Sequence, residues 1–488
     1  MSGHLLDTLR GADGDRALVI PDGPTFTYAQ LRTAVEDAAA RLAGLGVRRG
    51  DRVALAFPNG PEAIVLFLAA ALAGTACPLN PAYTEDEFAF YLEDTDARLL
   101  LVPPGGSTAA RTAMGAVMGD RGPVVDVSFD AAGTLTMDAP RGAVPDPPGA
   151  DEVALVLHTS GTTSRPKRVP LRHRNLLAST ANIVATYALT GDDVAMCIMP
   201  LFHVHGLMAS TLSTFASGGV VVAPARFTPL GFWPVARTHS PTWYSASPTF
   251  HHLVLMRAGD GGRPAGAERL RFVRSCSSTL VPAFMSEMEA RLGAPVLDAY
   301  GMTEASHQMA SNPLPPAPRK PGSVGRGTGV EIRILEDDEV GIRGPNVIDA
   351  YEGNPEANAA AFADGWFRTG DSGRLDADGY LELIGRIKEL INRGGEKIAP
   401  REIDEVLEAH PHVKEAVAFG VPHPTWGEEV AVAVVLSEEV TEKELAAWCR
   451  ERLAEFKVPR RFHIVAVIPR TATGKVQRRH VASAFTDR

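Results

Sequence analysis

Cysteine is scarce in this sequence, basic charge is in deficit, and no apolar run is long enough to span a membrane comfortably. Four cysteines (Cys77, Cys197, Cys276 and Cys449) are spread over 488 residues without CxxC or metal-type spacing. That pattern argues against a disulfide framework or a zinc site. Cys77 and Cys197 lie in apolar runs and read as core thiols. Lysine and arginine total 48 against 58 aspartates and glutamates, a net charge of −10. A nucleic-acid partner, which needs a broad basic face, is not expected. The opening MSGHLLDTLRG lacks the apolar core of a signal peptide. The longest apolar stretch, Ala63 to Leu79, is bounded by Pro61 and Pro78. It reads as a buried helix running into a loop, so stable membrane insertion is not expected. The final Thr486-Asp487-Arg488 is not an SKL-type signal, and a cytoplasmic location is expected. Internal repeats and heptad runs are missing as well.

What is present is the balance of a globular protein, with 45% hydrophobic and 22% charged residues. The length corresponds to about two to four domains. Short apolar runs such as RVALAF (Arg52 to Phe57), ARLLLV (Ala97 to Val102), VALVLH (Val153 to His158), GGVVVAP (Gly218 to Pro224) and TWYSASP (Thr242 to Pro248) alternate with helical patterns such as Thr27 to Gly46. This is an α/β rhythm with buried sheets. Pro103 to Pro148 is rich in Gly, Pro and Asp with weak periodicity, and reads as peripheral structure or a connector. After Gly385 the pattern turns to α+β: an amphipathic helix (Pro400 to His410), two strands, a second helix and a basic tail.

The richest chemical signal is HTSGTTSRPKRV, His158 to Val169, directly after an apolar strand-length run. Thr159, Ser160, Thr162, Thr163 and Ser164 supply hydroxyls, Gly161 admits backbone N–H groups close to an anion, and Lys167 adds a charge. The loop suits a polyphosphate, or else it is a polar turn. It is not a Walker A loop, because Pro166 precedes Lys167 and Arg168 follows it. In YGMTEASHQ (Tyr300 to Gln308), Thr303 and Glu304 stand at a strand end, where they suit a phosphate oxygen and Mg²⁺; an ordinary acidic loop is the alternative. Gly365 to Arg386 contains DADGY, a hairpin-turn signal, with Asp371 and Arg386 as partners for ribose hydroxyls. The turn Arg393-Gly394-Gly395 is flexible and basic, and Lys475 lies on a glycine-containing loop near the C-terminus.

Together, in this order and spacing, the five segments resemble the adenylate-forming superfamily of acyl- and aryl-CoA synthetases, adenylation domains and luciferases, from about residue 16 to 482. The resemblance implies a large N-terminal domain (1–385) of two β-sheets flanked by helices plus a small distorted β-barrel. A hinge (386–388, with Lys388) and a mobile α+β C-terminal domain (389–488) follow. It also implies ATP, Mg²⁺ and coenzyme A, and two half-reactions: formation of an acyl-adenylate, then of a thioester. By that resemblance Thr159 to Lys167 hold the β- and γ-phosphates. Tyr300, Gly301 and Thr303 face the AMP moiety, and Glu304 binds Mg²⁺. Asp371 and Arg386 clamp the ribose, Lys475 meets both carboxylate and α-phosphate, and Arg393 to Gly395 border the thiol channel. A monomer or homodimer is expected. Arg168 departs from the family's usual glycine; it adds a phosphate contact or points to solvent. The segment Arg333 to Val347 is short, as a trimmed surface turn would be.

The acyl-pocket segments are polar: PLFHVHG, SASPTFHH, RSCSST and MTEASHQMASNP. Such a lining suits a small, doubly charged acid, since a second carboxylate buried without partners is costly. These segments resemble those of plant and fungal oxalate–CoA ligases. His203, His205, Ser277 and His307 are the expected lining, with His203 alternatively a gate beside the nucleotide. His251 and His252 read as core or helix-start residues. Malonate is the nearest rival, because malonyl-CoA synthetases share PLFHVHG. Other acyl or aryl acids, and a carrier-protein or non-thiol acceptor, also stay open.

Overall fold

A computed structural model describes residues 3–119, 122–159, 166–259, 262–470 and 476–486. The chain forms two compact units. The first comprises Met1–Pro321, Gly325–Glu331 and Arg343–Phe362; the second comprises Gly322–Val324, Ile332–Ile342 and Ala363–Arg488.

Two largely parallel sheets build the first unit, giving the expected α/β class. One runs, edge to edge, Leu135–Met137, Val124–Phe129, Ala97–Val102, Arg52–Leu55, Thr75–Pro78, Val153–Thr159 and Lys167–Arg172. The other runs Arg326–Gly327, His307–Ser311, Val296–Met302, Phe272–Ser275, Trp243–Ala246, Val194–Met196, Val220–Val222, Arg16–Val19 and Thr25–Thr27. The apolar stretch from Ala63 departs from expectation. After the helix Pro61–Ala73, buried at every position but Glu62, it enters not a loop but the strand Thr75–Pro78. A Cβ on Gly74 would lie 2.5 Å from the Asp51 carbonyl oxygen, so glycine permits this close helix-to-strand joint. Residues 103–148 carry regular structure at one edge of this sheet. The helix Thr108–Met118 buries Ala110, Ala113 and Met114 in a hydrophobic cluster, and two strands extend the sheet edge. Of the two readings, the segment is peripheral structure: a short amphipathic helix between glycine-rich turns, with strands at the sheet edge.

In the second unit, DADGY makes the anticipated hairpin between Trp366–Leu375 and Leu381–Arg386. The Asp376 carboxylate accepts the Asp378 and Tyr380 amides, and Gly379 takes φ +79°. The short segment near 333–347 is a tight hairpin of Glu331–Ile334 and Glu339–Arg343. A further sheet carries Val413–His423 beside Gly427–Leu436. Period-two alternation sends Val430, Val432 and Val434 to one core, with Ile403 and Leu407 of the helix Pro400–Glu408. Ala431 and Ala433 face another core with Phe419 and Val481. No described helix is long and apolar enough to cross a membrane.

Candidate active site

The strand Val153–Thr159 returns antiparallel as Lys167–Arg172, with Thr159 opposite Lys167. Ser160, Gly161, Thr162 and Thr163, and likewise Lys475, lie outside the described residues. Glu304 sits on a single 3-10 turn, Thr303–Ala305, directly after the strand Val296–Met302 that carries Tyr300 and Gly301. It is buried, and its Oε1 accepts the Tyr351 hydroxyl at 2.8 Å and the Thr159 hydroxyl at 3.4 Å. Its Oε2 has no hydrogen-bond partner among the described residues, leaving a hard oxygen donor of the kind Mg²⁺ takes. Lys167 Nζ lies 4.4 Å from the Tyr351 ring centroid. The structure thus gathers Thr159, Lys167 and Glu304 around Tyr351, a residue the sequence reading missed. Its only signal was position, just past the GIRGPN stretch. Thr303 and His203 line one cavity, together with His158, Tyr83, Tyr91 and Phe202.

Arg168 turns to Asp94 rather than simply to solvent. It donates to the Asp94 carbonyl and lies 3.5 Å from that residue's carboxylate, which also meets His158 Nε2 at 2.9 Å. One aspartate thus holds two neighbouring residues at the base of the phosphate-type loop. A single sequence could not show that Asp94, on the helix Glu85–Thr95, faces Arg168 on the strand Lys167–Arg172.

Of the histidines expected in the acyl pocket, His205 and His307 come together, while His203 lines the cavity with Thr303. Gly206 lets the start of the π-helical segment His205–Leu212 rest on Met199 and Pro200, whose carbonyl oxygens would lie 2.7 and 2.5 Å from a Cβ there. His205 Nδ1 is 2.9 Å from Ser277 Oγ, and Nε2 is 2.7 Å from Ser245 Oγ. Its ring stacks on His307, with centroids 4.8 Å apart. His307 is buried at φ +95°, a costly backbone state for a side-chain-bearing residue. The turn is held rigidly: the Asn346 side chain donates to the Ala305 and Gln308 carbonyls, and the Ser306 hydroxyl to the Asn346 carbonyl. Gly301 is needed there, since its Cβ would lie 2.2 Å from the His307 carbonyl oxygen. Burial, and secondly the Arg274 charge, hold both His205 and His307 well below the usual histidine range, so they are neutral at pH 7.

Arg274, the one arginine of the anticipated segments, suits a charged acid by sequence but was not among the expected lining residues. It lies opposite Ser245 on adjacent parallel strands, fully buried. Nη1 donates to Ser245 Oγ at 2.9 Å; Nε donates to Tyr187 Oη at 2.8 Å and Gln308 Oε1 at 3.2 Å. All these partners are neutral. Nη2 has no partner, and neither has His307 Nε2. Among the described residues no carboxylate pairs with this guanidinium, although burying an unpaired charge costs several kcal/mol. The recoverable signal was a charge inside the apolar strand Phe272–Ser275. His251 is buried nearby, its pKa lowered to about 3 by burial first, and His252 stacks on Phe284.

In the second unit, Asp371 and Arg386 face each other across the hairpin, Nε to Oδ1 at 2.8 Å. Lys388 is in the 3-10 turn Ile387–Glu389. Gly394 and Gly395, at φ +62° and +97°, join strands in which Arg393 faces Glu396. This is a tight two-residue hairpin rather than a flexible turn. Arg393 is not a free cation either: Glu429 takes it bidentately at 2.7 and 3.1 Å, and its guanidinium lies 5.3 Å from the exposed Trp426 ring.

The pattern of the AMP-binding enzyme family matches residues 8–351, and that of its C-terminal domain matches 402–475. The chain belongs to the AMP-binding enzyme family. It is 47% identical to the oxalate–CoA ligase of Arabidopsis thaliana, over 100% of this chain and 99% of that one. It is 42% identical to the oxalate–CoA ligase of Saccharomyces cerevisiae, over 96% and 94%. The crystal structure of ATP-bound MatB from Rhodopseudomonas palustris matches with a TM-score of 0.91 at 30% identity, over 100% and 99%. This family membership agrees with the segments that carried the resemblance.

Proposed function

We propose that this enzyme makes oxalyl-CoA from oxalate, ATP and CoA, releasing AMP and pyrophosphate. The coarser chemistry follows from its family: it is an AMP-forming acid–CoA ligase that uses ATP with Mg²⁺ and CoA. One carboxylate of the acid attacks the α-phosphate, displacing pyrophosphate and leaving a mixed anhydride with AMP. The CoA thiolate then attacks the acyl carbon and AMP departs. The observation that carries the oxalate reading is the polar set of buried His205 and His307 with half-buried Ser277, where a fatty acyl chain would need an apolar wall. Likeness to two oxalate–CoA ligases supports it.

In this reading Thr159, Ser160, Gly161, Thr162, Thr163 and Lys167 hold the departing pyrophosphate. Tyr300, Gly301 and Thr303 hold the AMP portion, and donors aimed at the α-phosphate offset charge that builds there. Glu304 would hold Mg²⁺, which neutralises phosphate charge. His203 lines the acyl pocket with His205, Ser277 and His307. In the second unit Asp371 and Arg386 are the ribose pair, and Lys475 meets the reacting carboxylate. Lys388 is the hinge, and Arg393 to Gly395 border the thiol path. The protein is assigned to the cytoplasm as a monomer or homodimer.

A substrate panel tests the reading. Oxalate, malonate, succinate, benzoate and octanoate are assayed for pyrophosphate release with and without CoA. Oxalate should give the highest kcat/KM and a CoA thioester. Release driven by another acid, with none from oxalate, overturns it; release without thioester assigns a different acceptor.

A further inference from the structure

Arg274 is a fully buried cation whose partners are all neutral and whose Nη2 meets no acceptor. A guanidinium only donates, and that fixes the direction of every hydrogen bond leading from it. Ser245 Oγ accepts from Arg274 at 2.9 Å, so its own proton is directed to His205 Nε2, 2.7 Å away. The neutral imidazole then carries its proton on Nδ1 and donates it to Ser277 Oγ at 2.9 Å. The Ser277 hydroxyl proton is left over. Ser277 is only half-buried, at the open end of the series, at φ +77°. The Arg274 end is closed, and beside it His307 Nε2 has no partner. The cluster therefore carries one fixed positive charge, lacks a counter-anion of its own, and presents an O–H donor where it opens.

We propose that Arg274 is the specificity-determining residue of the acyl pocket: acting through Ser245 and His205, it selects acids that bring a second anionic group. The inference rests on the acid–CoA ligase reading and deepens it. It makes Arg274 a positioning residue, because the direction of donation at Ser277 depends on it. An amide in place of the second carboxylate keeps one oxygen that can accept from Ser277, but it turns the other acceptor into an N–H donor and carries no charge to offset the guanidinium. A site built for one hydrogen-bonding pattern rejects a near-isostere with the opposite one.

Oxalate and oxamate differ in that group alone, so the test is their ratio of kcat/KM for acid-dependent pyrophosphate release. Wild type should strongly prefer oxalate. Arg274→Gln should lower that ratio about thirtyfold or more, mainly through KM for oxalate, with KM for ATP little changed. Arg274→Lys, which keeps the charge, should restore part of the ratio. Ser245→Ala, a smaller change that breaks the relay, should lower the ratio as well, and it serves as the test if Arg274→Gln does not fold. The proposal is overturned if wild type uses oxamate as well as oxalate. It is also overturned if the folded variants keep the wild-type ratio. If wild type uses malonate and not oxalate, the oxalate reading falls while this inference is tested unchanged with malonate against its monoamide.

Discussion

At the scale of single residues, the decisive feature is which groups share one partner. Tyr351 and Thr159 both donate to the same oxygen of Glu304, so the carboxylate is aimed without consuming its second oxygen. Removing one hydrogen bond to a charged group costs about 1.5–3 kcal/mol. Tyr351→Phe should therefore slow pyrophosphate release by about tenfold or more and raise the Mg²⁺ concentration needed for half-maximal rate. A rate and Mg²⁺ titration identical to wild type would remove Tyr351 from the site. Arg168 makes the contrasting case. Its contact is Asp94, not solvent. Arg168→Ala should leave KM for ATP within about twofold, since the partly exposed pair contributes at most about 1 kcal/mol. A large rise in KM would restore the phosphate contact that the sequence allowed. The sequence could name Glu304 and Lys167 because they stand in local motifs. Tyr351 and Asp94 act on those motifs from distant positions and leave no local pattern, whereas Arg274 shows only as a charge inside an apolar strand.

At the scale of elements, the site depends on how closely strands and turns approach. The strand Val296–Met302 and its antiparallel neighbour His307–Ser311 are joined by only four residues, with Ser306 and His307 both at positive φ. Gly301 makes room for that reversal. Gly301→Ala forces its Cβ against the His307 carbonyl, and overpacking of this kind costs about 1–3 kcal/mol. Denaturant unfolding should show that loss, and adenylation should fall with it because His307 and Glu304 move together. Unchanged stability with full activity would mean that the turn adapts freely. The strand-length apolar runs were legible because alternation and burial leave a direct trace. The helix in 108–118 and the strand at 75–78 were not, since glycine-rich flanks masked one and continuity with an apolar helix masked the other.

At the scale of the whole molecule, each compact unit carries its own electrostatic balance. In the second unit the helix Pro400–Glu408 turns Asp404 and Glu408, one turn apart, toward the strand Val413–His423. Arg478 pairs with Asp404 at 2.8 Å. Burial first, and Asp404 second, push the Glu408 carboxyl from 4.5 up to about 8. A raised acid pKa gives stability that is complete below the unfolded value and lost as pH rises through the folded one. Glu408 should therefore weaken this unit progressively between about pH 4.5 and 8. Glu408→Gln should melt higher than wild type at pH 9 but not at pH 4, in thermal scans of the full chain; a difference independent of pH would show that the carboxyl does not titrate there. By itself the sequence determined the α/β class, the family and the order of the nucleotide-binding segments, because those are written in contiguous residues and their spacing. Only tertiary structure decided which side chains share a carboxylate, that Arg168 turns to Asp94, and that Arg274 is buried without a counter-charge. Those facts depend on residues far apart in the chain, whose approach leaves no trace in contiguous sequence.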